Sequence, residues 1–128
     1  MKLINDFFDI ISSNTDHDSF TYKVKLNPQH RIYRAHFPNN PVTPGVCLVQ
    51  MSTELINIQY HKNFQLKTAV NIKFKKTITP DIEPSFTFTK AVLTEESLKI
   101  CVNIGHEDTL LAKMSLLYTT PVHESSKG

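Results

Sequence analysis

Apolar and polar residues alternate through most of the second half of the chain, and a two-residue period predicts strands. Val70, Ile72 and Phe74 alternate with Asn71, Lys73 and Lys75, and Phe86 and Phe88 with Thr87 and Thr89. Leu98, Ile100, Val102 and Ile104 alternate with Lys99, Cys101 and Asn103, and Leu110, Ala112, Met114, Leu116 and Tyr118 close the series. Earlier in the chain Phe20, Tyr22, Val24 and Leu26 alternate with Thr21, Lys23 and Lys25. The polar breaks Thr94-Glu95-Glu96 and Gly105-His106-Glu107-Asp108 are short, as antiparallel hairpins require.

A longer period marks two other segments. Ile4, Phe8 and Ile11 fall at i, i+4 and i+7, which predicts a short amphipathic helix over residues 3–11, followed by a polar loop from Ser12 to Asp18. Residues 30–36 are expected to extend towards a proline-rich stretch, where Pro38, Pro41 and Pro44 forbid regular structure. Thr43 then reads as an N-cap and Pro44 as a first helical position. From Val46 to about Tyr60 runs one largely apolar helix, striped by Leu48, Met51, Leu55 and Ile58. Its few charges predict that other elements wrap it on most sides. The expected order is helix, strand, extended loop, long buried helix, then four more strands. An antiparallel sheet with one apolar face wrapped around one apolar helix satisfies both periods, and it is one of several α+β arrangements that do.

Size and charge narrow this only slightly. A chain of 128 residues, 40% hydrophobic and 20% charged, is one ordinary globular domain, expected over residues 1–120 with a loose polar tail at 121–128. A net charge of +2 is too small to argue for nucleic acid. Lys73, Lys75 and Lys76 crowd together; a solvated strand edge is the ordinary reading and an acidic protein partner the sharper one. Cys47 and Cys101 lack metal-ligand spacing and read as reduced, buried residues, although Cys47 follows a helix start where a thiolate is favoured. The six histidines include no pair at metal-binding helical spacing, so no zinc site is expected, and no motif signals an organic cofactor. Asp6 and Asp9 interrupt the apolar N-terminal stretch, which argues against a signal peptide, and no run approaches a membrane span. A cytoplasmic protein is expected.

The segment His36-Phe37-Pro38-Asn39-Asn40-Pro41-Val42-Thr43-Pro44-Gly45 resembles the signature of the bacterial 3-hydroxyacyl-[acyl-carrier-protein] dehydratases, which read His-Phe-Pro-x-x-Pro-[Val/Ile]-x-Pro-Gly. Asn27-Pro28 through His30-Arg31-Ile32 resembles the lead-in to that histidine. Phe74 to Asp81 resembles a strand and turn that the family usually ends with Pro-Gly-Asp; here the glycine is missing. The resemblance implies a hotdog fold and a homodimer with its site at the interface. It also implies an acyl chain in an apolar tunnel beside the helix, carried by acyl carrier protein, and a role in fatty-acid or polyketide-type biosynthesis. By the same resemblance His36 is the base that removes a C2 proton, and Phe37 and Pro44 belong to the substrate site. Gly45 and Val46 open the helix, so their N–H groups are unpaired donors at its positive end for the thioester oxygen, and a purely conformational role for Gly45 is the even alternative.

One departure changes the chemistry. Fourteen residues after the histidine the family carries Glu or Asp; this chain carries Gln50, whose amide has no proton to release. Losing a general acid typically forfeits a factor of about 10² to 10⁴. Three readings follow. Gln50 orients the hydroxyl while another group such as Glu54 protonates it, though Glu54 also reads as a surface or ion-paired helix residue. A different hotdog subunit supplies the carboxylate in a heterodimer. Or the chain binds acyl thioesters without turnover, or hydrolyses them as a thioesterase.

Overall fold

The computed structural model describes residues 1–35 and 39–121. Six strands form one antiparallel sheet: β1 (Phe8–Asp16), β2 (Ser19–Leu26), β3 (Gln65–Phe74), β4 (Ser85–Leu93), β5 (Ser97–His106) and β6 (Thr109–Thr119), in the order β1-β2-β4-β5-β6-β3. Two helices, α1 (Arg31–Ala35) and α2 (Gly45–Tyr60), lie between β2 and β3 in the chain. The inward residues of β2, β4, β5 and β6 meet Cys47, Leu48, Met51, Leu55 and Ile56 of α2 in one core. Two side-chain hydrogen bonds tie helix to sheet across it: Tyr22 Oη donates to Gln59 Oε1 (2.8 Å), and the Thr53 and Tyr118 hydroxyls share a proton at 2.9 Å. Burial pushes the Tyr118 hydroxyl up to about 12.

The alternation over β2, β4, β5 and β6 translates directly into burial, with Phe86, Phe88, Leu98, Ile100, Val102 and Ile104 fully enclosed. Elsewhere the expected pattern is corrected. Residues 3–11 are not a helix. The chain turns at Asn5 (φ 69°), with Phe7 and Phe8 donating to the Leu3 carbonyl, and then enters β1. Leu3, Phe7 and Phe8 are buried, whereas Ile11 is exposed. The polar stretch from Ser12 is strand as far as Asp16. It is held by its ladder to β2 and not by burial, which is why it shows no alternation. Residues 31–35 are helical, not extended; His30 Nδ1 accepts from the Ile32 N–H (3.0 Å) and starts the turn.

Helix α2 starts one residue later than expected. Pro44 is its N-cap (φ −62°, ψ 145°), with no side-chain cap bond, because the Thr43 hydroxyl is spent on Tyr33. The helix ends at His61 in the left-handed region, with its N–H on the Asn57 carbonyl. Sixteen residues give it a length of about 24 Å. Its burial is one-sided: Leu48, Met51 and Leu55 are enclosed with Ser52 and Ile56, but Val46 is 69% and Ile58 37% exposed. Cys47 is buried and its thiol is pushed up by desolvation, while Cys101 is only half-buried, 3.7 Å from the Ser115 hydroxyl.

Strand β3 departs most. Its expected inward row does not share a face: Val70 pairs with outward Ser115, Phe74 with inward Ala112, and a bulge at Asn71 (φ 52°) switches the phase between them. Leu66, Val70, Ile72 and Phe74 are all exposed, on an edge strand bonded only to β6. At the far end Thr120 donates to the Glu95 and Glu96 carbonyls. The tail from residue 122 onward lies outside the described residues, as do His36, Phe37 and Pro38.

Candidate active site

The proline segment delivers the chain to α2 through a fixed point at Thr43. Its N–H donates to the Ile78 carbonyl (2.8 Å), and its hydroxyl meets Tyr33 Oη at 2.7 Å inside the protein. Tyr33 stacks on Phe7 with ring centroids 5.1 Å apart, and burial pushes its hydroxyl up to about 12. Helix α1, the N-terminal turn and the start of α2 are thereby joined. Asp6 and buried His30 add a second tie, 3.1 Å apart, between the turn and the lead-in to α1.

Cys47 and Leu48 are the first helix residues whose N–H groups bond backwards, both to the Pro44 carbonyl (3.0 and 3.3 Å). Gly45 and Val46 precede them, so no helix carbonyl can reach their N–H groups, which lie at the positive end of the α2 dipole. The Phe74 ring lies over Gly45: a Cβ there would come within 2.6 Å of its Cζ. A side chain at this position would have to displace the ring, which is exposed and can move. A cleft of about 350 Å³ opens beside it, lined by Val42, Thr43, Pro44, Gly45, Leu48, Phe74, Ile78 and the exposed Lys75, Lys76 and Thr77. Among the described residues its lining is mainly apolar and contains no carboxylate. A larger open groove, about 800 Å³, lies at the other end of α2 against Asp16, His17, Gln59, Tyr60 and Lys90, remote from this segment.

Pro44, Gly45 and Val46 are thus gathered at one helix end, although the Val46 side chain is exposed and outside the cleft lining. Gln50 and Glu54 are gathered elsewhere. Gln50 Nε2 donates to the Met1 carbonyl (2.8 Å) and to Glu54 Oε2 (2.7 Å), and Glu54 also accepts the Leu3 and Ile4 N–H groups, each at 2.7 Å. Both side chains clamp the N-terminal segment onto α2 and neither lines the cleft. The sequence-predicted His36 and Phe37 lie outside the described residues. The alternation placed Phe74 in the core, and only its position at the start of the Phe74–Asp81 turn pointed towards the site. At the end of that turn the Asp81 carboxyl, held by the Thr79 hydroxyl, sits below the usual carboxylate range. Among the described residues no group of His, Cys, Asp or Glu could hold a metal ion, and no helix is long and apolar enough to cross a membrane.

A six-stranded antiparallel sheet carrying one helix across its face, in this strand order, is the hotdog architecture, and solved structures match it along most of their length. The dehydratase heterocomplex ApeI:P from Xenorhabdus doucetiae superposes with a TM-score of 0.67 at 14% identity, over 88% of this chain and 96% of that one. Thioesterase superfamily member 2 from Mus musculus gives 0.66 at 10% identity, over 89% and 82%. A hypothetical thioesterase from Streptococcus pneumoniae TIGR4, solved with coenzyme A, gives 0.65 at 10%, over 89% and 85%. The ApeI-like family model, described as ApeI dehydratase, matches residues 12–113, and the chain belongs to that family of hotdog thioester dehydratases. No curated protein matches the sequence.

Proposed function

We propose that the chain takes part in dehydrating 3-hydroxyacyl thioesters of acyl carrier protein to trans-2-enoyl thioesters, with the thioester held at the α2 N-terminus. The observation carrying this is the mainly apolar cleft that opens beside the free N–H groups of Gly45 and Val46, directly after the His36–Gly45 motif. Thioester oxygen charge is stabilised by donors aimed where it accumulates. His36 removes the C2 proton. The C–H electron pair becomes the C2–C3 double bond, the C3–O bond breaks, and the hydroxyl leaves as water after taking a proton.

That last proton needs a source. Gln50 has none to give, Glu54 is occupied by three N–H donors, and among the described residues the cleft lining holds no carboxylate. The proton donor is therefore assigned to a partner hotdog subunit, seated along the exposed apolar edge of β3 that ends at Phe74 beside the cleft. Thioester hydrolysis is the second reading. The thioesterase structures superpose almost as closely as the dehydratase, and hydrolysis needs no acid for a leaving hydroxyl.

One assay separates these. The chain, alone and co-expressed with a second hotdog subunit, is given a 3-hydroxyacyl thioester while enoyl absorbance and free thiol are followed together. Enoyl formation only with the partner is the expected result, and His36→Ala should abolish it. Thiol release without enoyl product establishes hydrolysis instead. An enoyl rate unaffected by His36→Ala removes the assignment of the base.

A further inference from the structure

We infer that Tyr33 is a positioning residue: by holding the Thr43 hydroxyl it stops α2 from capping itself, which leaves the Gly45 and Val46 N–H groups open to a ligand. The inference rests on the thioester reading above. A threonine cap accepts, through its side-chain oxygen, from the second or third N–H after it. Counted from Thr43, those are the N–H groups of Gly45 and Val46. Threonine at the cap with proline at the first helical position is a favoured start for a helix. The protein does not use it. Pro44 occupies the cap instead, has no side-chain oxygen to offer, and leaves α2 with no side-chain cap bond. Its φ of −62° already suits a helix, so only its ψ of 145° would have to change for α2 to gain a residue and Thr43 to become the cap.

Thr43 is held at two points. Its N–H donates to the Ile78 carbonyl (2.8 Å), and its hydroxyl lies 2.7 Å from Tyr33 Oη. Thr43 and Tyr33 are both enclosed, and a buried hydroxyl that loses its partner is costly, so each retains the other. Tyr33 has little room to follow Thr43. Its ring stacks on Phe7 with 20° between the planes, and its N–H donates to the His30 carbonyl (3.0 Å). The His30 ring in turn meets Phe7 at 87°, with centroids 5.1 Å apart. The phenol therefore stands still and Thr43 stays with it. An apolar pair of the same shape would fill this place at little cost, but it would set no direction. The hydroxyl pair does, and it keeps the Thr43 oxygen off the two donors beside the cleft.

The test is Tyr33→Phe, which keeps the ring on Phe7 and removes the oxygen. Thr43 is then released to cap the helix, so amide exchange at Gly45 and Val46, followed by NMR in the whole chain, should slow about fivefold. In Tyr33→Phe/Thr43→Val no cap can form, and exchange at both amides should return towards the parent rate. A merely structural role predicts the opposite sign: the helix end loosens and both amides exchange faster in Tyr33→Phe. Turnover of a 3-hydroxyacyl N-acetylcysteamine thioester, with the partner subunit present, should follow the same course. Its kcat/KM should fall about tenfold in the single variant, short of the roughly 10²–10³ lost when an oxyanion donor is removed outright, and most of it should return in the double one. Unchanged or faster exchange in Tyr33→Phe overturns the inference, and so does slowed exchange with kcat/KM unchanged. If the parent protein turns over no thioester, that reading fails separately, and the exchange rates alone decide whether Tyr33 keeps the helix end open.

Discussion

Strands β5 and β3 flank β6 on opposite sides and carry comparable apolar alternation, yet their fates differ. Leu98, Ile100, Val102 and Ile104 on β5 are fully enclosed beneath α2, whereas Leu66, Val70, Ile72 and Phe74 on β3 are between 38% and 55% exposed. Alternation states that a segment suits a pleated surface; it does not state what covers each face. On β5 the cover is the chain's own helix. On β3 the bulge at Asn71 divides the row between two faces, and the outer edge has no neighbour among the described residues. Exposed apolar residues on a free strand edge are the usual sign of a surface built for another chain.

The largest test of this contrast is truncation in each strand. Ile100→Ala should cost about 2–5 kcal/mol in urea unfolding, because the cavity it leaves is closed on all sides. Ile72→Ala should cost less than about 1 kcal/mol in the isolated chain, since water already reaches the site. Equal losses would mean β3 is covered in solution and the contrast is void. Next in size is Glu54→Ala. It strips the acceptor from the Leu3 and Ile4 N–H groups, and about 1–3 kcal/mol should be lost.

Alkali probes the enclosed side alone. Tyr33 and Tyr118 are pushed up to about 12 from an ordinary value near 10, so the folded state holds these protons more tightly than the unfolded chain does. Their contribution to stability is complete below pH 10 and should vanish as pH rises through 12. Phenolate absorbance should therefore appear for these two only above the ordinary range or together with unfolding, and Tyr118→Phe should flatten the loss of stability in that window. The smallest expected change in stability is at the junction of the two regions. Gly45→Ala must push aside the Phe74 ring, but the ring is 55% exposed and can swing, so the stability cost should stay below about 1 kcal/mol. The methyl group would intrude on the cleft, and the expected readout is a raised KM for the thioester.

The sheet was legible wherever one face of a strand is buried and the other wet, because only then does side-chain alternation report the fold. It failed at β1, whose residues from Ser12 to Asp16 are exposed on both faces and held by backbone hydrogen bonds, which leave no trace in residue type. It failed at α1, since five residues are too few to display a helical period. The helix end bearing Gly45 was legible through its prolines. The cleft was not, because it depends on the Phe74 ring returning across the sheet to a residue almost thirty positions earlier. The clamp formed by Gln50 and Glu54 was hidden for a similar reason. Its counterparts are main-chain atoms of residues 1–4, and any sequence there without proline at 3 or 4 would supply the same carbonyl and N–H groups.

That clamp also bears on how position 50 can change over evolutionary time. The amide nitrogen of Gln50 is the donor between two oxygens, one from Glu54 and one from Met1. A mutation to glutamate would put a third oxygen between them, and two ionised carboxylates so close would repel until one took up a proton, so the new acid would begin life as a burden. A second mutation at 54, harmful by itself, would be needed to relieve it. Two steps, each unfavourable without the other, make a ratchet: a lineage that acquires this glutamine does not easily mutate back.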